Sequence, residues 1–186
     1  MAFEFEILNF FQELHTPVLT WIMRAASRLG DAGFIWILLA VILLLIPKTR
    51  KIGMLVSVAL ILDVITCNLI LKPLVARTRP YDVNTAIELL IAAPKDFSFP
   101  SGHTAASFAA VSALWFTKEK KFWIPALVLA VLIAFSRMYF YVHYPTDVLG
   151  GALLGIFCGW MADKLLAWGK KKKIMCEETL IKSVFF

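Results

Sequence analysis

Charge is what this sequence has least of. Only 17% of its 186 residues are Asp, Glu, Lys or Arg, against 60% hydrophobic residues. Solvated disorder is excluded, because chains that stay disordered are poor in apolar residues. A mean hydropathy of +0.78, carried by long apolar runs, also argues against a water-soluble globule. Cysteine is scarce too. Cys67, Cys158 and Cys176 are an odd number without close spacing, so they supply neither a disulfide framework nor a zinc motif. The formal charge of +6 does not mark a nucleic-acid binder. Much of it sits in short clusters between apolar runs, where membrane proteins keep their cytoplasmic lysines.

What the chain does have is a series of apolar runs at 32–47, 52–71, 104–116, 122–135 and 148–168. Crossing ~30 Å of hydrocarbon takes about 20 helical residues, so several runs must borrow flanking residues. They are continuous and do not alternate, which favours helices over barrel strands. Residues 16–29 are a sixth candidate span, with Pro17 at a favoured N-terminal place and Arg24 and Arg28 snorkelling from one end. Residues 1–15 interleave Phe3, Phe5, Leu8 and Phe11 with Glu4, Glu6 and Gln12, the pattern of an interfacial amphipathic helix. The expectation is an all-α integral membrane bundle of about six transmembrane helices. It forms a single domain, 1–186, with a basic cytoplasmic tail at 169–186.

Loop charge orients the bundle. Placing Lys48, Arg50, Lys51, Lys118, Lys120, Lys121 and Lys170 to Lys173 inside puts ten basic residues in the cytoplasm. The opposite, extracytoplasmic face then carries three polar clusters. The first runs from Lys72 through Arg77 to Arg79-Pro80. The second is Pro100-Ser101-Gly102-His103. The third holds Ser136-Arg137, then His143 and Asp147. Lys72, Arg79 and Arg137 are cations at a membrane boundary, costly unless solvated or paired, and together they suit a dianionic group. Ser101-Gly102-His103 opens a helix, where free N–H groups and the dipole favour an anion. His143 and Asp147 are four apart, so on a helix they would share a face, and Pro145 between them requires that helix to start nearby. The carboxylate can then fix the imidazole tautomer and leave the other nitrogen free to attack. His103 is then available to protonate a leaving oxygen.

K-x(6)-RP, PSGH and SR-x(5)-H-x(3)-D, in this order over Lys72 to Asp147, resemble the signature of the type 2 phosphatidic acid phosphatase superfamily. The motifs cover about 40% of the chain. The resemblance implies a six-helix membrane phosphatase that needs no metal or other cofactor. It implies His143 as nucleophile, passing through a phosphohistidine, with Asp147 orienting it and His103 as general acid. Lys72, Arg79 and Arg137 would hold the phosphate, with Ser101 and the Gly102 backbone adding hydrogen bonds. Short bacterial members of this size resemble undecaprenyl-diphosphate phosphatases of the plasma membrane, while others act on phosphatidylglycerol phosphate, phosphatidic acid or lipid A. The substrate is thus expected to be a lipid phosphate drawn from the bilayer, with no nucleic acid involved. The sequence does not report the oligomeric state.

Plainer readings compete with these. A two-histidine, one-carboxylate metal site of His103, His143 and Asp147 is opposed by the three neighbouring cations. A membrane anion binder or transporter could use the same cations without chemistry. Arg77 and Lys95 lie outside the signature and read as solvated charges. Asp63 and Asn68, inside a span, read as partners in a helix–helix hydrogen bond. His15 reads as interfacial. Gly150, Gly151, Gly155 and Gly159 read as close helix packing, Cys158 as core packing, and Lys170 to Lys173 as a lipid anchor.

Overall fold

The structure, a computed structural model, describes the backbone of residues 2–185 and the side chains of residues 2–172. The described residues form nine α-helices and no strand. In chain order these are α1 (Ala2–Glu13), α2 (Pro17–Gly30), α3 (Phe34–Leu45), α4 (Arg50–Asp63), α5 (Lys72–Val75), α6 (Pro80–Val83), α7 (Gly102–Phe116), α8 (Lys120–Tyr139) and α9 (Pro145–Phe185). A 3-10 turn, Asp31–Gly33, joins α2 to α3, and a π-helical stretch, Val64–Leu71, joins α4 to α5. Side-chain anchoring by the tail beyond residue 172 lies outside the described residues.

Local chemistry sets the boundaries. Thr16 caps α2, its hydroxyl oxygen accepting from the Leu19 N–H at 3.3 Å, and Pro17 takes the first helical position, where no N–H is needed. The helix ends where Ala32 and Gly33 turn left-handed, with φ of 51° and 69°. The following α3 contains no polar residue in twelve, as a helix in lipid requires. Among the described residues, four helical stretches are long and apolar enough to cross a membrane: Pro17–Leu45, Arg50–Val83, Lys120–Tyr139 and Pro145–Lys172. The all-α membrane bundle is therefore as expected, but its division differs from six equal spans. With 15 residues, α7 is only about 22 Å long. It is also built largely of buried Ala, Ser and Thr, because it lies inside the bundle and faces protein.

The candidate span at 16–29 behaves differently from a simple crossing. Near its start Thr20 shares a hydrogen bond with the Tyr139 hydroxyl at 2.7 Å, and at its end Gly30 packs against His103. Tyr139 closes α8 and His103 opens α7, so α2 runs across the end of the bundle that carries the polar clusters. On the same end α1 packs against α8 and α9, with Leu8 fully buried beneath Tyr141 and Tyr144. Beside α1, His15 bonds to the Tyr139 carbonyl oxygen at 3.1 Å.

The seam between α7 and α9 is what positions the site. A Cβ on Gly151 would stand 2.6 Å from the Ser101 carbonyl oxygen, and Gly155 and Gly159 meet Ala105 and Ser112 as closely. Only glycine lets the two backbones touch. The expected packing role holds for these three glycines, while Gly150 packs against Phe99 instead. The seam ties the start of α7 to the start of α9, and the Ser101 N–H donates to the Asp147 carbonyl oxygen at 3.1 Å. Beneath it, Trp36, Val56, Ala59, Ala109, Ala113 and Ile133 form the main core, and Cys158 belongs to it. Leu45, Ile61, Leu69 and Leu153 point outward and are exposed. In water such a surface would drive association, whereas in a bilayer it faces its proper solvent.

Candidate active site

Six of the residues singled out in the sequence converge. Lys72, Arg79, Gly102, His103, Arg137 and His143 line one cavity of about 650 Å³. They come from five separate places. Lys72 follows the π-helical stretch, Arg79 precedes α6, Gly102 and His103 open α7, Arg137 lies near the end of α8, and His143 is in the turn before α9. A π-helix is an unusual conformation that recurs at functional sites. Here its end delivers Lys72, which is buried although it is a lysine.

His143 is the most enclosed of these groups, with 2% of its surface exposed. One Nη1 hydrogen of Arg79 points at its Nε2 at 3.3 Å, and the same nitrogen donates to the Val142 carbonyl oxygen at 2.6 Å. A guanidinium can only donate, so Nε2 carries the lone pair and Nδ1 the proton. Nδ1 lies 3.5 Å from Asp147 Oδ2. Burial, reinforced by Arg79 and Arg137 and opposed by Asp147, pushes the pKa of His143 down to about 3. The imidazole is therefore neutral and nucleophilic across the physiological range.

Asp147 is completely buried and held from several sides. Its Oδ2 accepts from the Ser98 hydroxyl at 2.5 Å and from the Tyr144 N–H at 2.9 Å. Its Oδ1 accepts from Arg77 Nη1 at 2.6 Å. This corrects the reading of Arg77 as a solvated charge. Its guanidinium also donates twice from Nη2 to Glu4, at 2.9 and 3.0 Å, and stacks over the Tyr144 ring at 3.9 Å. Glu4 is held below its ordinary pKa: burial opposes the shift, but the bonds from Thr146 and Arg77 outweigh it. Lys95, by contrast, is exposed and makes no ion pair among the described residues.

The cations are partly occupied by protein anions. Asp96 takes both Lys72 and Arg79: its Oδ2 pairs with Lys72 Nζ, and its Oδ1 accepts from Arg79 Nη2 at 2.6 Å. Partial burial raises its pKa, yet the two cations pull it down to about 2. A carboxylate thus lies between two of the cations that would grip a phosphate. His103 Nε2 pairs with Asp31 at 2.9 Å. Arg137 donates to the Ser27 hydroxyl, and its buried Nε has no hydrogen-bond partner. The first N–H groups of α7 likewise have no intrahelical acceptor. Donors thus remain for an anion in the cavity.

Two expectations are corrected. Ser101 does not line the cavity; it is fully buried behind it and its hydroxyl accepts from Thr104 at 3.0 Å. Asp63 is buried, but its Oδ1 makes no hydrogen bond, so the expected helix–helix bond is absent there. It lines a smaller cavity of about 320 Å³ next to Lys72, as does Asn68. Among the described residues, no three His, Cys, Asp or Glu side chains are grouped so as to hold a metal ion. Ser27, Asp31, Asp96 and Ser98 were not singled out from the sequence. For Ser27 a signal existed, since it shares one face of α2 with Arg24 and Arg28.

Fold and site together define an integral membrane protein that gathers cations and His143, backed by Asp147, around one chamber of about 650 Å³. The chain belongs to the PAP2 superfamily, whose family model matches residues 52–170. It is 31% identical to the undecaprenyl-diphosphatase of Sulfolobus acidocaldarius over 91% of this chain and 80% of that protein. It is also 31% identical to the lipid A 4'-phosphatase of Bacteroides thetaiotaomicron, over 87% of this chain and 78% of that protein. Its fold matches the crystal structure of a PAP2-type phosphatidylglycerolphosphate phosphatase from Bacillus subtilis. That match has a TM-score of 0.72 and 27% identity, covering 93% of this chain and 86% of the other.

Proposed function

We propose that the protein is a metal-independent membrane lipid phosphatase that removes the terminal phosphate of a polyprenyl diphosphate, with undecaprenyl diphosphate favoured. The observation that carries this reading is the His143 arrangement: a neutral imidazole that lines one cavity with Lys72, Arg79 and Arg137, its Nε2 beside the Arg79 guanidinium. His143 Nε2 attacks phosphorus and forms a phosphohistidine. Asp147 steadies the imidazolium that results, and His103 gives its proton to the departing oxygen. Water then cleaves the P–N bond and releases inorganic phosphate. Phosphoryl transfer needs positioning and charge neutralisation above all, which the three cations and the N-terminus of α7 supply without a divalent ion. Substrate phosphate takes the place of the Asp96 carboxylate between Lys72 and Arg79.

The choice of a polyprenyl diphosphate is supported by the name of the Sulfolobus relative. Phosphatidylglycerol phosphate, phosphatidic acid and lipid A are the competing substrates, as the names of the other relatives indicate. A panel of these lipids, assayed with purified protein in excess EDTA, is expected to show full activity and a preference for the polyprenyl diphosphate. Preference for a glycerophospholipid phosphate would overturn the substrate, and activity restored only by added metal would overturn metal independence.

The site faces the extracytoplasmic side of the plasma membrane in this reading, because the lysine-rich loops occupy the other end. Single cysteines placed at 85–93 are expected to react with an impermeant thiol reagent in intact cells. Reaction only after lysis would invert the topology.

A further inference from the structure

Arg24, Ser27 and Arg28 stand at i, i+3 and i+4 on α2 and therefore share a face, and Asp31 follows in the 3-10 turn just beyond its end. That face is turned into the chamber, and all four residues line it. Two of them are engaged with the machinery already described, Ser27 with Arg137 and Asp31 with His103. The two arginines are not. Arg24 donates from Nη2 to the Leu90 carbonyl oxygen at 3.0 Å, and its buried Nε has no hydrogen-bond partner. Arg28 is exposed and makes no side-chain hydrogen bond or ion pair among the described residues.

A phosphate monoester carries close to two negative charges near neutral pH. Lys72, Arg79 and Arg137 already answer that charge at His143. Two further guanidinium groups lining the same chamber are superfluous for a monoester, and cations at a membrane boundary are costly without a counter-ion. The chamber is also several times larger than one phosphate. A diphosphate brings a second anionic centre a single bridging oxygen away from the first, and guanidinium forks suit it by bidentate donation.

We propose that Arg24 and Arg28 form a second phosphate seat, which binds the lipid-bearing phosphate of a diphosphate substrate and so selects diphosphates over monoesters. The inference rests on the phosphatase reading above and adds to it the origin of head-group choice. As His143 Nε2 bonds to the terminal phosphorus, the bond from that phosphorus to the bridging oxygen breaks, and its electron pair stays on the oxygen. The leaving group is the lipid monophosphate, whose growing charge Arg24 and Arg28 neutralise while His103 supplies the proton. Water later releases the terminal phosphate from His143.

The test compares farnesyl diphosphate with farnesyl phosphate on the full-length protein, wild type against Arg24→Gln/Arg28→Gln. Loss of two charge-assisted contacts is expected to lower the diphosphate-to-monoester ratio of kcat/KM by about tenfold or more. Arg28→Gln alone, at an exposed position, is expected to lower it by about threefold or more. Inhibition gives a second reading: the inhibition constant of inorganic pyrophosphate should rise in the double variant by a larger factor than that of orthophosphate. Parallel losses on both substrates, or an unchanged ratio, would overturn the second seat and leave the phosphatase reading standing. A wild-type protein that hydrolyses neither compound would remove both.

Discussion

His143→Ala is expected to abolish phosphate release, by about four orders of magnitude or more, and to leave the bundle folded. The size follows from the role: without Nε2 no covalent intermediate can form, and the rest of the site supplies only positioning. The structural cost is small by comparison. Arg79 keeps its bonds to the Val142, Asp96 and Phe97 carbonyl oxygens, and Asp147 keeps Ser98, Tyr144 and Arg77. His103→Gln should lose less, about 10²–10⁴-fold, the range for a single proton donor. The decisive measurement uses substrate labelled at the terminal phosphate and quenched within one turnover. Wild type and His103→Gln should carry acid-labile label on the protein, and His143→Ala should carry none. Phosphate release by His143→Ala near the wild-type rate would refute the phosphohistidine. An anion binder, by contrast, would release no phosphate even as wild type.

What the sequence disclosed, and what it hid, divides along the range of the interactions. The His143–Asp147 pair was legible because its residues are four apart in sequence, although His143 stands in the turn before α9 and not on the helix, and Gly102-His103 because a helix start is a local event. The α7–α9 seam was half legible: the glycine spacing announces a close contact, but nothing in it names α7 as the partner. Arg77 was misread for a physical reason. Its partners Glu4 and Asp147 are 73 and 70 residues away, and an arginine in a polar stretch looks the same whether water or a buried carboxylate receives it. Asp96 was overlooked similarly, since its importance comes only from standing between Lys72 and Arg79. The arginines of α2 were noticed and assigned to snorkelling. Apolar periodicity shows that a helix exists, but not whether it passes through the bilayer or lies across the end of the bundle.

Arg77→Met carries the second large expectation, a fall in kcat of about 10–100-fold with KM little changed, together with a loss of stability. Arg77 does not line the chamber, so it makes no direct claim on substrate binding. It acts on Asp147, whose Oδ1 has no other hydrogen-bond donor among the described residues. Removing the guanidinium leaves two largely buried carboxylates, Asp147 and Glu4, without the cation that joins them. Breaking a buried pair in this way costs about 3–5 kcal/mol, and the lower end applies because the Arg77 side chain retains 25% exposure. The carboxylates escape part of that cost by binding a proton. A protonated Asp147 no longer balances the imidazolium that His143 becomes on attack, which is why kcat suffers and KM does not. Arg77→Lys should recover only part of the rate, because one ammonium cannot reproduce a fork that reaches two carboxylates at once. Adding Glu4→Leu to Arg77→Met separates the two effects. It removes one of the two carboxylates that Arg77 joined and should restore much of the melting temperature, while kcat stays low because Asp147 still lacks Arg77. Steady-state kinetics and thermal melting in detergent check both halves, and a kcat for Arg77→Met within about twofold of wild type would deny Arg77 its positioning role.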